Sequence, residues 1–275
     1  MKQRTETPEK VTPVPEETEP VPLREIERLA EKLFKNRQKR RQVVDRLRGI
    51  YEQALGKDIL VVFSPGGWGN TPWDDVQDWE QSIVYGVLPV LEKLGYRYGM
   101  AQYLRGGKPR LAHMIDMLRD IRFFTTGVSP RSVTAAEELK FLVANLPAVK
   151  LILVGASQGA AFNNAVMQKL GKQDHIFSIE LGTFFPYMKW RALTDRTLAV
   201  DSNGIVRDPM CQRDLWVGTR AYLAAIGRYF KRRARGECIR FTRCINTPGH
   251  EYRWEYPAVS ESITRFLTAR FGVKR

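Results

Sequence analysis

The clearest chemistry in the chain is carried by Gly155-Ala156-Ser157-Gln158-Gly159. A serine two residues from a glycine on either side, between an apolar run (149–154) and a run of small residues, fits a sharp strand-to-helix turn. Such a turn strains the serine backbone and lifts the hydroxyl clear of the sheet. Side chains at positions 155 and 159 would strike neighbouring backbone, and Ala160 and Ala161 let the helix lie close. The N–H of Gln158, at the helix N-terminus, then points toward a developing oxyanion. Nucleophilic attack on a carbonyl is the chemistry this pattern serves.

A serine needs a base, and the chain has three histidines. His175 opens a strand and reads as structural, and His113 lies in an irregular stretch where it could line a pocket. His250, after Gly249, sits in a loop between an expected strand (238–245) and the last helix, and is the candidate base. The loop Ser64-Pro65-Gly66-Gly67-Trp68-Gly69 follows another strand. Its glycines let backbone approach a bound carbonyl oxygen. Gly67 or Trp68 is the candidate second oxyanion donor, and the rings of Trp68 and Trp73 are candidate walls of an acyl pocket.

These residues need elements to hold them. From Asp58 onward, strands and helices alternate, which predicts an α/β domain with a parallel sheet covered on both faces. Strands are expected at 59–63, 96–104, 149–154, 175–181, 197–200 and 238–245. Helices are expected at 83–94, 133–144 (capped by Ser132), 158–170, 215–229 and 257–271. Residues 105–130 are less regular, as in a small lid or crossover. Before this domain, residues 23–57 form a basic helical extension with apolar positions at helical spacing and a break in the run KNRQKRRQ. Residues 1–22, rich in Pro, Glu and Thr, read as a disordered tail.

The PGGWG loop, GASQG and GH, in that order and spacing, resemble the α/β-hydrolase superfamily over residues 58–275. The resemblance implies a doubly wound, mostly parallel sheet and a Ser-acid-His triad but no substrate, since the fold hosts esterases, lipases, thioesterases and amidases. The function expected here is cleavage of a carboxylic ester or thioester through an acyl-enzyme. The resemblance places the acid after strand 197–200. Asp208, before Pro209, resembles the Asp-Pro of lipase-like members and has more reach toward His250. Asp201, at the strand end, is the alternative. No metal or organic cofactor is required, and the implied partner is a small or lipid-like acyl substrate.

LVGASQGAA also resembles the glycine-rich first turn of short-chain dehydrogenases, with Glu180 as a ribose-binding acid. Against it stand Ala161 in place of the third glycine, a motif past the middle of the chain, and the lack of any Tyr-x-x-x-Lys pair.

Composition bounds the rest. The chain has 275 residues, 43% of them apolar, enough for a substantial core. The first residues lack the apolar segment of a secretory signal, and three cysteines cannot all pair, so a cytoplasmic, reducing setting is expected. The formal net charge is +14; from Ile226 to Arg275, 12 Lys/Arg stand against 4 Asp/Glu, a net of 12 − 4 = +8. This basic charge, part of a basic C-terminal third, could bind anionic surfaces weakly. The competing reading is therefore a non-catalytic hydrolase-fold module that uses its basic surface to bind nucleic acid or anionic lipid.

Overall fold

The computed structural model describes residues 21–67, 69–105, 122–239 and 241–274. The tail expected over 1–22, Trp68, His113 and most of the segment 105–130 lie outside or almost outside them. Strands β1 (Ile59–Ser64), β2 (Tyr98–Gln102), β3 (Lys150–Ala156), β4 (Ile176–Leu181) and β5 (Thr197–Val200) form a sheet. Its order is β2-β1-β3-β4-β5 and every neighbouring pair is parallel. Among the described residues, the helices that flank it are α1 (Leu23–Leu33), α2 (Arg37–Ala54), α3 (Asp78–Lys93), α4 (Pro130–Asn145), α5 (Gln158–Leu170), α6 (Leu215–Ala234) and α7 (Pro257–Phe271).

The central strands are apolar on both sides because both sides are covered. Ile59, Val61, Phe63, Ile152 and Val154 pack against α3 and α7 through Ile83, Val87, Leu91, Ile263 and Leu267. Leu60, Val62, Leu151 and Leu153 face the other way, onto Leu47, Ile50, Leu139, Phe162 and Val166 of α2, α4 and α5. The doubly wound parallel arrangement expected from the sequence is thus the one observed.

The basic N-terminal helices join the second of these layers. Asn36 caps α2, its Oδ1 accepting from Lys39 N at 3.1 Å, and so breaks the helical run where the basic stretch begins. Farther along α2, the Arg46 guanidinium forks onto the buried Glu138 carboxylate of α4 and lies 4.8 Å from the centre of the Tyr103 ring.

Two local expectations are corrected. Helix α4 starts earlier than Val133, with Pro130 in its first turn and Ser129, not Ser132, as cap; Ser129 Oγ accepts from Arg131 N at 3.2 Å. Residues 238–245 are not a strand; they contain a short 3₁₀ turn, Phe241–Cys244. Their groups are committed elsewhere. Phe241 packs edge-on to Tyr229, Arg228 holds the Cys244 carbonyl at 2.8 Å, and Arg243 reaches the Asp74, Asp75 and Val76 carbonyls. Of the two cysteines flanking the segment, Cys238 is exposed and Cys244 is buried.

From β1 the chain winds outward to β2, then returns to add β3 on the opposite side. The loops after β1 and β3 therefore part at the carboxyl edge of the sheet. A crevice opens at such a switch point.

Candidate active site

Ser157 stands at that crevice, between β3 and α5. Its φ is 53° and its ψ −115°, a conformation non-glycine residues rarely adopt. A strain of this kind costs on the order of 1–3 kcal/mol and persists only where the surroundings enforce it. Here Ser157 N donates to Leu181 O at 2.8 Å, and Ala161 N donates to Ser157 O at 3.2 Å. A Cβ on Gly159 would lie 2.2 Å from Ser64 O, and one on Gly155 would lie 2.6 Å from Gly159 O. Both glycines are therefore demanded by backbone proximity, as the motif implied.

The loop after β1 is held from two sides. Gly66 N donates to Glu80 Oε2 of α3 at 3.2 Å. On the other side, Arg105 Nη2 donates to Pro65 O at 2.6 Å and Gly67 O at 3.1 Å, while Nη1 donates to Gln158 O at 3.1 Å. One guanidinium thus ties the Gly66–Gly67 loop to the start of α5. Gly69 leaves it room, since a Cβ there would sit 2.3 Å from Arg105 Nε. Burial pushes the Glu80 carboxyl up to about 7, against the opposing pull of the Gly66 amide and the Arg105 charge.

The candidate base and acid meet on loops beyond β5. His250 Nδ1 lies 2.8 Å from Asp208 Oδ2. The same oxygen accepts from Tyr252 Oη at 2.6 Å and from Cys211 Sγ at 3.2 Å, while Oδ1 accepts from Met210 N at 2.8 Å. Asp208 is fully buried. Burial alone would raise its pKa, but the His250 contact, with Tyr252 and Cys211, outweighs burial and holds the carboxyl below its ordinary range. It is an ionised carboxylate at neutral pH. With the proton on Nδ1 facing Asp208, His250 presents Nε2 as an acceptor.

Asp201 is engaged elsewhere. Its carboxylate receives both arms of Arg191, at 2.8 and 2.7 Å. Of the two acids the sequence left open, only Asp208 contacts His250.

Ser157, Gln158, His250, Gly66 and Gly67 line one cavity of about 260 Å³, with Glu80 in its wall. Phe184, Met210 and Ile245 give it an apolar side. Trp73, expected at the acyl pocket, is not among the lining residues. Its ring packs edge-on to Phe63 and Tyr85, and its Nε1 donates to Tyr85 Oη at 3.2 Å. Trp79 takes the place, lining the cavity with its ring centre 6.1 Å from that of His250. Trp68 lies outside the described residues, and Gly67 is in place on the lining with φ +55°.

Glu180, the acid required by a dinucleotide site, is buried in β4 and held by Asn164 and Ser178, so it offers nothing to a ribose. Glu80, Arg105 and Tyr252 were not singled out by the sequence, and all three act through contacts far along the chain.

No family model matches the sequence, and no curated protein matches it. Among solved structures, the chain is similar to a Trichoderma reesei cutinase in complex with a C11Y4 phosphonate inhibitor. That likeness has a TM-score of 0.45 and 18% identity, and covers 92% of this chain and 90% of that one. A cutinase-like protein from Cryptococcus sp. aligns with a TM-score of 0.36 and 12% identity, over 79% of this chain and 95% of that one. At these values the likeness says nothing about chemistry, which has to be argued from the side chains themselves.

Proposed function

We propose that the protein is a serine hydrolase that cleaves a carboxylic ester or thioester through an acyl-enzyme. The observation that carries this reading is the 2.8 Å Asp208–His250 contact, on the cavity that also holds the strained Ser157.

In this reading His250 Nε2 removes the Ser157 proton as Oγ attacks the carbonyl carbon. Asp208 fixes the tautomer and stabilises the imidazolium; it keeps its own charge throughout. The Gln158 N–H and a second amide from the Gly67–Trp68 loop hold the oxyanion, with Arg105 setting the distance between them. As the tetrahedral intermediate collapses, His250 gives its proton to the leaving oxygen or sulfur. Water then enters, loses a proton to His250, and attacks the acyl-serine by the same route. A cavity of about 260 Å³ suits a short acyl group or the first carbons of a longer one.

Short p-nitrophenyl esters test the reading. Wild-type protein should turn them over, and Ser157→Ala should lower kcat by on the order of 10⁴–10⁶. Wild-type protein without turnover, or an alanine variant that retains it, contradicts the reading.

A further inference from the structure

Among its described side chains, helix α6 turns three of its large apolar residues away from the domain it packs on. A helix that only packs on its own domain turns large apolar side chains inward. The inward residues of α6 include the small Ala221 and Ala225, both buried, and Gly218 at the cavity wall. Trp216, Leu223 and Phe230 point outward and are 69%, 61% and 65% exposed. They are seven residues apart, so each is turned only ~20° from the last, and they form one continuous stripe. Ile226, also exposed, widens it.

The charge on this helix has one sign. Between Leu215 and Ala234 there are five cations, Arg220, Arg228, Lys231, Arg232 and Arg233, and no carboxylate; Arg235 follows directly. Arg228 is spent on the Cys244 and Ala221 carbonyls, and Arg232 pairs with Glu237. Lys231, Arg233 and Arg235 are exposed at the end of the stripe. An outward stripe of Trp, Leu and Phe ending in clustered cations is the composition of a helix that lies in a lipid headgroup layer. Nucleic acid would use the cations but leave the apolar stripe in water.

We propose that α6 docks the protein onto anionic bilayers. Trp216, Leu223 and Phe230 enter the headgroup–acyl boundary, while Lys231, Arg233 and Arg235 meet the anionic headgroups. Given the hydrolase reading, which this part rests on, docking sets the Ser157–His250 cavity, walled by Gly218 of the same helix, beside acyl lipid. The substrate class is then an ester drawn from that surface.

The test is flotation of the full chain carrying Ser157→Ala, so that docking is read without turnover. It should float with phosphatidylcholine vesicles containing phosphatidylglycerol and hardly at all with phosphatidylcholine alone. Replacing Lys231, Arg233 and Arg235 by Gln should weaken partitioning by on the order of 100-fold, about fivefold per cation. Replacing Trp216, Leu223 and Phe230 by Ser should abolish flotation while leaving hydrolysis of a soluble short ester intact in the Ser157 background. No flotation, flotation indifferent to phosphatidylglycerol, or a triple-Ser variant that floats like the parent overturns the proposal. So does a dimer that the triple-Ser change dissociates, since a second copy would then cover the stripe. Docking without esterase activity contradicts the hydrolase reading alone, and esterase activity without docking contradicts the surface alone.

Discussion

The two sides of the candidate site are built by different means. The Ser157 side rests on the sheet: β1 and β3 end there in register, Ser64 opposite Gly155, and the backbones are so close that two glycines are obligatory. The Asp208–His250 side has no strand beneath it. It is made of two loops joined by side chains, with Asp208 accepting from His250, Tyr252 and Cys211 and Asn203 Nδ2 donating to the Gly249 and Glu251 carbonyls. Backbone geometry is thus hard to change on one side, whereas on the other a few polar side chains, Asp208 and Asn203 among them, hold the arrangement.

That contrast is sharpest for the acids. Asp208→Asn should lower kcat on short esters by about 10⁴, because the amide no longer holds the His250 tautomer. Asp201→Asn should leave kcat within about tenfold and instead cost about 1–2 kcal/mol of stability through its half-buried pair with Arg191. Steady-state kinetics beside thermal melts decide it. A reversed ranking would transfer the role to Asp201.

The next largest effect belongs to Arg105, which couples the loop after β1 to the elbow. Arg105→Ala should reduce kcat by on the order of 10² with KM little changed, comparable to losing an oxyanion donor. Arg105→Lys should recover little of this, since one ammonium cannot span three carbonyls. A melting-temperature drop with kcat preserved would reduce Arg105 to a structural tie.

The smallest effect concerns stability alone. Burial raises the Glu180 carboxyl to about 8, against hydrogen bonds from Asn164 and Ser178, from an ordinary value of 4.5. The folded chain therefore keeps a proton that the unfolded chain gives up. The stability tied to it is complete below about 4.5 and is lost as pH rises through about 8. Glu180→Gln should flatten the fall in melting temperature between those values by a few degrees. An unchanged pH profile would show that Glu180 does not carry this dependence.

How far the sequence could be read follows the same division. The elbow was legible because backbone crowding restricts the residue types over five consecutive positions. The parallel sheet was legible because strands covered on both faces must be apolar throughout. The choice between Asp201 and Asp208 depended on Arg191, whose pairing with Asp201 is made by the fold. The spacing of apolar residues at 238–245 matched a strand, but Arg243 and Phe241 commit the segment to the 74–76 turn and α6. Trp73 and Trp79 are equally aromatic, and only the start of α3 decides which reaches the cavity. Glu80 and Arg105 leave no local mark, because their partners are backbone groups 14 to 53 residues away. For α6, periodicity marks the apolar positions, but only packing reveals that Trp216, Leu223 and Phe230 face outward.

The most direct test of the central claim is covalent labelling of the full chain with a fluorophosphonate at neutral pH, read by peptide mass spectrometry. One adduct on Ser157 is expected, absent from Ser157→Ala and formed on the order of 10³-fold more slowly in His250→Gln, because attack requires a base at Nε2. An adduct on another residue, or none on the wild-type protein, would contradict an activated serine at the elbow.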